Sequence, residues 1–286
     1  MRYKLLACKI FEREIASVVA NCPNNIDVTT IRQRLHDYPS NLRQQLQDEI
    51  DQIDSNTHRQ TDDANFTPFD AILLGYGLCG KCTIGLKSAK YPLIIPRTHD
   101  CVALLLGSRE RFAELAPKSA GVFFFSPSFS SGYAKRMSNG EDEFDMCRYL
   151  FYLERYKGNE KRALKAVKLE QSLTSAYHSC AYIKWPTIDL PQHEEDVREL
   201  AKARGWKHLE IPGDDTLFRK LVDTDWLDPA NANDPDFLVV PPGHAIGESY
   251  DGSIFCAEDP AREGEETRSL PRWRILRKRP FRRSDG

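Results

Sequence analysis

The chain has 286 residues, with 40 Lys and Arg against 42 Asp and Glu, and 41% of it is apolar. That is the composition of a soluble globular chain of one or two domains, long enough to build a core without disulfides or metal. Eight cysteines are too sparse for a small secreted scaffold and point to a reduced, cytoplasmic protein, in which each cysteine is a ligand, a nucleophile or core filling.

Leu5-Leu6-Ala7-Cys8 has the form of a lipoprotein cleavage box, but Arg2 and Lys4 leave no apolar stretch before it. The longest apolar runs, Val102 to Leu106 and Val122 to Phe125, are too short to span a bilayer, so no membrane association is expected.

In chain order, short apolar runs bounded by Gly, Pro or polar residues predict strands at Tyr3 to Cys8, Ala71 to Gly75, Leu93 to Pro96, Val122 to Phe125, Cys180 to Trp185, Leu209 to Ile211 and Phe237 to Val240. Several lack polar alternation, as strands buried on both faces do. Between them lie helical patterns. Ile31 to Ile53 places Ile31, Leu35, Leu42 and Leu46 at helical spacing, Glu143 to Ser175 is helical with a break near Gly158-Asn159, and Glu194 to Arg204 is closed by Gly205. The alternation predicts an α/β protein over residues 1–250, with a mostly parallel sheet, flanking helices, a Rossmann-like arrangement and room for two lobes. A polar surface loop is expected near residues 54–65. Residues 257–286 form a charged tail whose end, Arg268 to Gly286, holds eight Arg and Lys against one acid, so the body is acidic and any nucleic-acid contact belongs to the tail.

Phe69 to Phe112 carries the chemistry. Gly75-Tyr76-Gly77-Leu78-Cys79-Gly80 directly follows a strand and matches GxGxxG, with Asp100 twenty residues beyond Gly80, where a ribose-binding acid would stand. NAD(P) is therefore one candidate cofactor. The second turn reads Pro96-Arg97-Thr98-His99-Asp100-Cys101 and runs into a helix that Thr98 or Asp100 would cap. Cys101 then falls in a first helical turn, where the amides and dipole favour a thiolate.

Successive parallel strands deliver their ends to one sheet edge, where ligands bind. Cys79, His99 and Cys101 meet there, Cys8 at the end of the first strand is a possible fourth member, and Cys82 a weaker one. Such a Cys/His set suits a transition metal, zinc more than iron. Asp100 would orient His99 or assist Cys101 in catalysis, Arg97 would hold an anionic group of a small-molecule substrate, and Glu12 and Ser126 would add polar contacts. Cys22, Cys147, Cys180 and Cys256 read as packing.

Ala7-Cys8-Lys9-Ile10-Phe11-Glu12-Arg13-Glu14, Gly75 to Gly80, Ile95-Pro96-Arg97-Thr98-His99-Asp100-Cys101 with Leu104 to Phe112, and Phe237-Leu238-Val239-Val240-Pro241-Pro242-Gly243 together resemble a prokaryotic family known as domain of unknown function 1638, over roughly residues 5–245. The resemblance implies a setting of one-carbon metabolism, with a corrinoid methyltransferase system as partner. The chain lacks the Asp-x-His-x-x-Gly pattern and so is not expected to carry the corrinoid itself, and Cys82 departs from the family's single cysteine in that turn. Four readings stand at this point: a metal-assisted transferase or hydrolase, a non-catalytic metal or cofactor carrier, a metal-free cysteine enzyme with His99 as base, and a dinucleotide-binding protein.

Overall fold

The computed structural model describes residues 1–33, 35, 38–57, 67–115, 120–129, 132–139, 144–174 and 177–259. Its main sheet has five strands, β1 (Arg2–Cys8), β2 (Asn25–Ile31), β3 (Ala71–Gly75), β4 (Leu93–Pro96) and β8 (Phe237–Val240), in the order β2-β1-β3-β4-β8. The first four run parallel, with Leu5 facing Val28 on one side and Leu73 on the other, and Ile94 beside Leu73. β8 closes the sheet antiparallel to β4, pairing Ile94 with Val239.

β3 and β4 are buried at every residue, which is why they are unbroken apolar runs in the sequence. Helices supply the covering. α2 (Pro39–Asp54) turns Leu42, Leu46, Ile50 and Ile53 inward, and α9 (Thr216–Asp223) does the same with Leu217, Phe218, Leu221 and Val222. α1 (Glu12–Val19) meets α9, where the rings of Phe11 and Phe218 pack edge to face at 5.0 Å.

A second parallel sheet, ordered β5-β6-β7, is formed by β5 (Val122–Phe125), β6 (Ser179–Lys184) and β7 (Lys207–Pro212). It has its own core, where Phe125, Cys180 and Tyr182 pack with Tyr133, Ala134 and Met137 of α5 (Tyr133–Ser138) and with Val197, Leu200 and Ala201 of α8 (Pro191–Arg204). α3 (Cys101–Leu105) and α4 (Arg109–Leu115) lead from the first sheet to the second, and α6 (Phe144–Arg155) packs on α7 (Glu160–Thr174). β9 (Ala245–Glu248) and β10 (Phe255–Glu258) make a hairpin.

The chain departs from the sequence pattern in four places. Ile31 ends a strand instead of starting a helix. β2 carries Asp27 and two threonines, and Asp27 is buried against Lys4 of β1 at 2.6 Å, so each charge conceals an interior strand position. Asp54 belongs to α2, where its carboxylate accepts from Ser88 Oγ and the Ala89 amide at 2.6 and 2.7 Å; the rest of the expected loop, from residue 58, lies outside the described residues. α8 starts at Pro191, a residue suited to a first helical turn, and ends as expected at Gly205 with φ of +65°. The β9–β10 hairpin has no counterpart in the sequence reading. Tail residues 260–286 also lie outside the described residues.

β1 is flanked by β2 on one side and β3 on the other, so the chain reverses its direction of winding between β1 and β3. Doubly wound sheets open a ligand crevice at such a point, beyond the C-terminal ends of the strands. Cys8 ends β1, and the glycine-rich turn follows β3.

Candidate functional site

The turns after β3 and β4 are joined through their backbones. The Leu78 amide donates to the Thr98 carbonyl at 2.8 Å and the Cys79 amide to the His99 carbonyl at 3.1 Å. Gly77 permits this approach, because a Cβ there would stand 2.7 Å from both the carbonyl oxygen and the hydroxyl of Thr98. The chain then turns through three successive left-handed residues, Cys79, Gly80 and Lys81, at φ of +42°, +68° and +71°. Arg43 binds the Lys81 carbonyl at 2.6 Å, and Lys81 Nζ pairs with Glu248 at 2.6 Å. This geometry places Cys79 Sγ 3.5 Å from Cys101 Sγ.

Asp100 is the N-cap of α3. Its Oδ1 accepts from the Val102 amide at 2.8 Å and the Ala103 amide at 3.4 Å, which fixes Cys101 as the first residue of the helix. The expected activation of Cys101 by the helix start is not what the electrostatics give. α3 has five residues, Asp100 already occupies its amides, and contact with Cys79 followed by burial pushes the Cys101 thiol well up. Cys82 is pushed up by the same two causes in the same order, and burial pushes Cys8 up to about 12. These are protonated thiols in the absence of a cation.

Beside the pair opens a cavity of about 490 Å³ between the two sheets. Cys79, His99 and Cys101 line the side of the main sheet, and Phe123, Phe129 and Tyr177 line the other. The aromatic side is continuous: Phe123 lies 5.3 Å from Tyr177 edge to face and 6.0 Å from Phe129 in a stacked arrangement. Ser126, at the end of β5, also borders the cavity.

The sequence profile of the family described as protein of unknown function (DUF1638) matches residues 30–222, a span that includes every residue just named at the cavity. The chain belongs to that family. No curated protein and no solved structure matches it. Within the family span, the four motifs that carry the resemblance are reduced to two, since the Cys8 segment and β8 fall outside it.

Of the sequence-predicted residues, the structure brings together Cys79 and Cys101, with His99 and Ser126 on the same cavity and Cys8 close enough to act electrostatically on both thiols. Among the described residues, no group of three or more His, Cys, Asp or Glu side chains is placed to hold a metal ion, so the expected four-ligand set contracts to a thiol pair. Asp100 serves the helix, and no hydrogen bond joins it to His99 among the described residues. Arg97 is turned away from the cavity: its guanidinium binds the carbonyls of Phe237, Ser253 and Phe255 and ties the β9–β10 hairpin to β8. Glu12 is exposed and stands 3.8 Å from Lys9.

The dinucleotide expectation loses its anchor as well. A pyrophosphate needs a helix N-terminus after the glycine turn, and only the short 3-10 turn Cys79–Lys81 lies between β3 and β4.

Sequence reasoning passed over Glu14 and Tyr76. Glu14 is fully buried and accepts from Ser128 Oγ, from the Ser128 amide at 3.1 Å and from Ser126, so it joins α1 to the loop after β5. Tyr76 carries its hydroxyl into the interior behind the thiols. Neither has a local signal beyond its neighbours in the Cys8 and Gly75 motifs, because the partners of Glu14 are more than a hundred residues away and Tyr76 is buried with its hydroxyl unpartnered.

Proposed function

We propose that the protein binds a thiophilic divalent metal, zinc before iron, on Cys79 and Cys101 and acts on a small, largely apolar substrate held in the adjoining cavity. The observation that carries this reading is the 3.5 Å separation of the two sulfur atoms at the cavity wall. A tetrahedral ion with Zn–S bonds of about 2.3 Å spaces two thiolates about 3.8 Å apart, so the pair accepts such an ion with a small adjustment. The charges that act on Cys101 come from thiols and Asp100, with no Lys or Arg among the leading ones. A cation would oppose the charges that act on Cys101, and Cys8 and Cys82 are the further thiols that interact with this pair.

When bound, the ion would hold the thiols as thiolates and act as a Lewis acid toward an electrophilic group of the substrate. The chain's own residues do the rest. Phe123, Phe129 and Tyr177 exclude water and seat the apolar part of the substrate, while the exposed imidazole of His99 offers the polar contact that orients it. Alkyl transfer to a thiolate is the reaction class that fits a soft nucleophile beside an apolar pocket, and the family resemblance suggests a corrinoid methyltransferase system as the partner. A metal-free nucleophile at Cys101 fits less well, because contact with Cys79 and burial keep the Cys101 thiol protonated.

Metal analysis of protein purified without a histidine tag tests the reading. About one equivalent of zinc or iron per chain is expected, with loss of that metal in both Cys79→Ser and Cys101→Ser; less than about 0.2 equivalents in the unsubstituted protein would overturn it.

A further inference from the structure

Cys79 and Cys101 reach one point by different routes. Cys79 lies in the left-handed turn after β3, beside exposed Gly80, and Cys101 opens α3 behind its Asp100 cap. Backbone hydrogen bonds from Leu78 to Thr98 and from Cys79 to His99 hold the two turns together, and the sulfurs meet at 3.5 Å although they stand 22 positions apart in the chain. This is contact distance for two sulfur atoms. A disulfide bond is about 2.05 Å long, so closing one requires an approach of about 1.5 Å by rotation of two side chains whose turns are already joined.

Both residues are half-buried and border the cavity whose other wall is Phe123, Phe129 and Tyr177. Packing does not account for the pair. Cys180, a core cysteine, is fully buried within a strand, whereas these two face a cavity, and Cys79 holds a φ of +42° that its side chain disfavours. Reactive cysteines are partly exposed where inert ones are buried. Two sulfurs are all that dithiol chemistry needs, and among the described residues no group of three or more His, Cys, Asp or Glu is placed to hold a metal ion.

We infer that Cys79 and Cys101 form a redox-active dithiol that reduces a small disulfide with apolar arms, held against the aromatic wall of the cavity, and closes a disulfide of its own. Cys79, in the exposed turn, attacks first. Its sulfur bonds to one sulfur of the substrate, the S–S bond of the substrate breaks, and the released half leaves as a thiol carrying the proton that Cys79 gives up. Cys101 then attacks the Cys79 sulfur of the mixed disulfide. The Cys79–Cys101 bond forms, the bond to the second half breaks, and the Cys101 proton leaves on the second thiol. One disulfide is reduced and one dithiol is oxidised. Proximity favours the second step, because a partner held in contact acts at an effective concentration far above that of any thiol in solution. No metal takes part, so the inference stands or falls apart from the metal reading, which uses the same sulfurs in their reduced state.

The test uses the full chain, reduced and stripped of metal with a chelator, and dipyridyl disulfide as the probe at one equivalent. Two pyridinethiols are expected for each probe molecule consumed. After alkylation, trypsin cuts at Lys81, between Cys79 and Cys82, and the peptide containing Cys79 is expected to be linked to the one containing Cys101. A lasting pyridyl adduct on either cysteine, a link from Cys79 to Cys82, or alkylation of both Cys79 and Cys101 after the probe is spent would each overturn the inference. In Cys101→Ser the reaction should stop at a pyridyl adduct on Cys79 with one pyridinethiol released; two released there would overturn it as well. The role of the cavity is read from rates, each divided by the rate of the urea-unfolded chain. That ratio should be at least about tenfold higher for dipyridyl disulfide than for the doubly anionic dithiobis(nitrobenzoate), whose carboxylates are costly to bury against an apolar wall. Equal ratios would overturn the assignment, since the cavity would then play no part. Protein that holds zinc but forms no such disulfide keeps the metal reading and loses this one, and the reverse result does the opposite.

Discussion

Cys79 occupies a backbone conformation that its side chain does not favour. At φ of +42° it lies in the left-handed region, next to Gly80 at +68°, where only glycine is free of strain. A Cβ in that region costs about 1–2 kcal/mol. The sequence therefore accepts a local penalty to bring this thiol to Cys101, as residues at functional sites often do. The consequence is an inverted order of stability among substitutions: Cys79→Gly should be more stable than Cys79→Ala by about 1 kcal/mol in urea unfolding, although glycine usually weakens a folded chain. Both variants lose the thiol, so both should lose metal. If Cys79→Ala proves the more stable, the turn is not strained and the conformation needs no functional explanation. The glycine on the other side of the motif answers to a different constraint, since Gly77 is fixed by close approach to Thr98 and has no special φ.

At the scale of elements, the cavity depends on a clamp between α1 and the loop after β5. Glu14 accepts from the Ser128 amide, the Ser128 hydroxyl and Ser126, and the Arg13 amide donates to Ser128 Oγ at 2.8 Å. Burial, the largest influence, raises the carboxyl above its ordinary 4.5, and the serine bonds only partly oppose it. An acid raised in the folded state binds more protons folded than unfolded once the pH exceeds 4.5. Its contribution to stability is therefore full below 4.5 and is lost as the pH climbs through the raised value. Urea midpoints measured from pH 4 upward should show this fall in the unsubstituted protein and a flatter profile in Glu14→Gln; parallel profiles would mean that the carboxyl titrates normally. This clamp also marks the limit of what the sequence disclosed. Ala71 to Gly75, Leu93 to Pro96, Val122 to Phe125 and Phe237 to Val240 are strands at the predicted bounds, because complete burial leaves an apolar run that needs no partner to be recognised. Cys79 and Cys101 were legible as a pair because parallel neighbours share an edge. β2 was hidden by an ion pair that only the register of β1 and β2 explains, and the aromatic wall opposite the thiols belongs to a second sheet whose placement no local pattern specifies.

At the scale of the whole molecule, Cys8, Cys22 and Cys180, placed in both cores, are held protonated. Burial is the leading cause in each case: it raises Cys8, at the end of β1, from 9.0 to about 12, and Cys22, after α1, and Cys180, in β6, each to about 11. In the unfolded chain they would ionise near 9. The folded state then holds protons that the unfolded state has released, and stability falls as pH rises above 9, with the deeply buried Cys8 alone contributing up to about 1.4 kcal/mol per pH unit. Metal reverses the sign for the sulfurs that bind it, because binding requires thiolates and releases protons, so the stabilisation conferred by zinc should grow with pH through the neutral range. The two effects separate in thermal unfolding. Metal-free protein should lose melting temperature as the pH rises above about 9, while the increment from zinc rises from pH 6 to 8 and is absent in Cys79→Ser. A zinc increment that is flat over that range would show that the ion is held without displacing thiol protons, and the buried sulfurs would then be packing and nothing more.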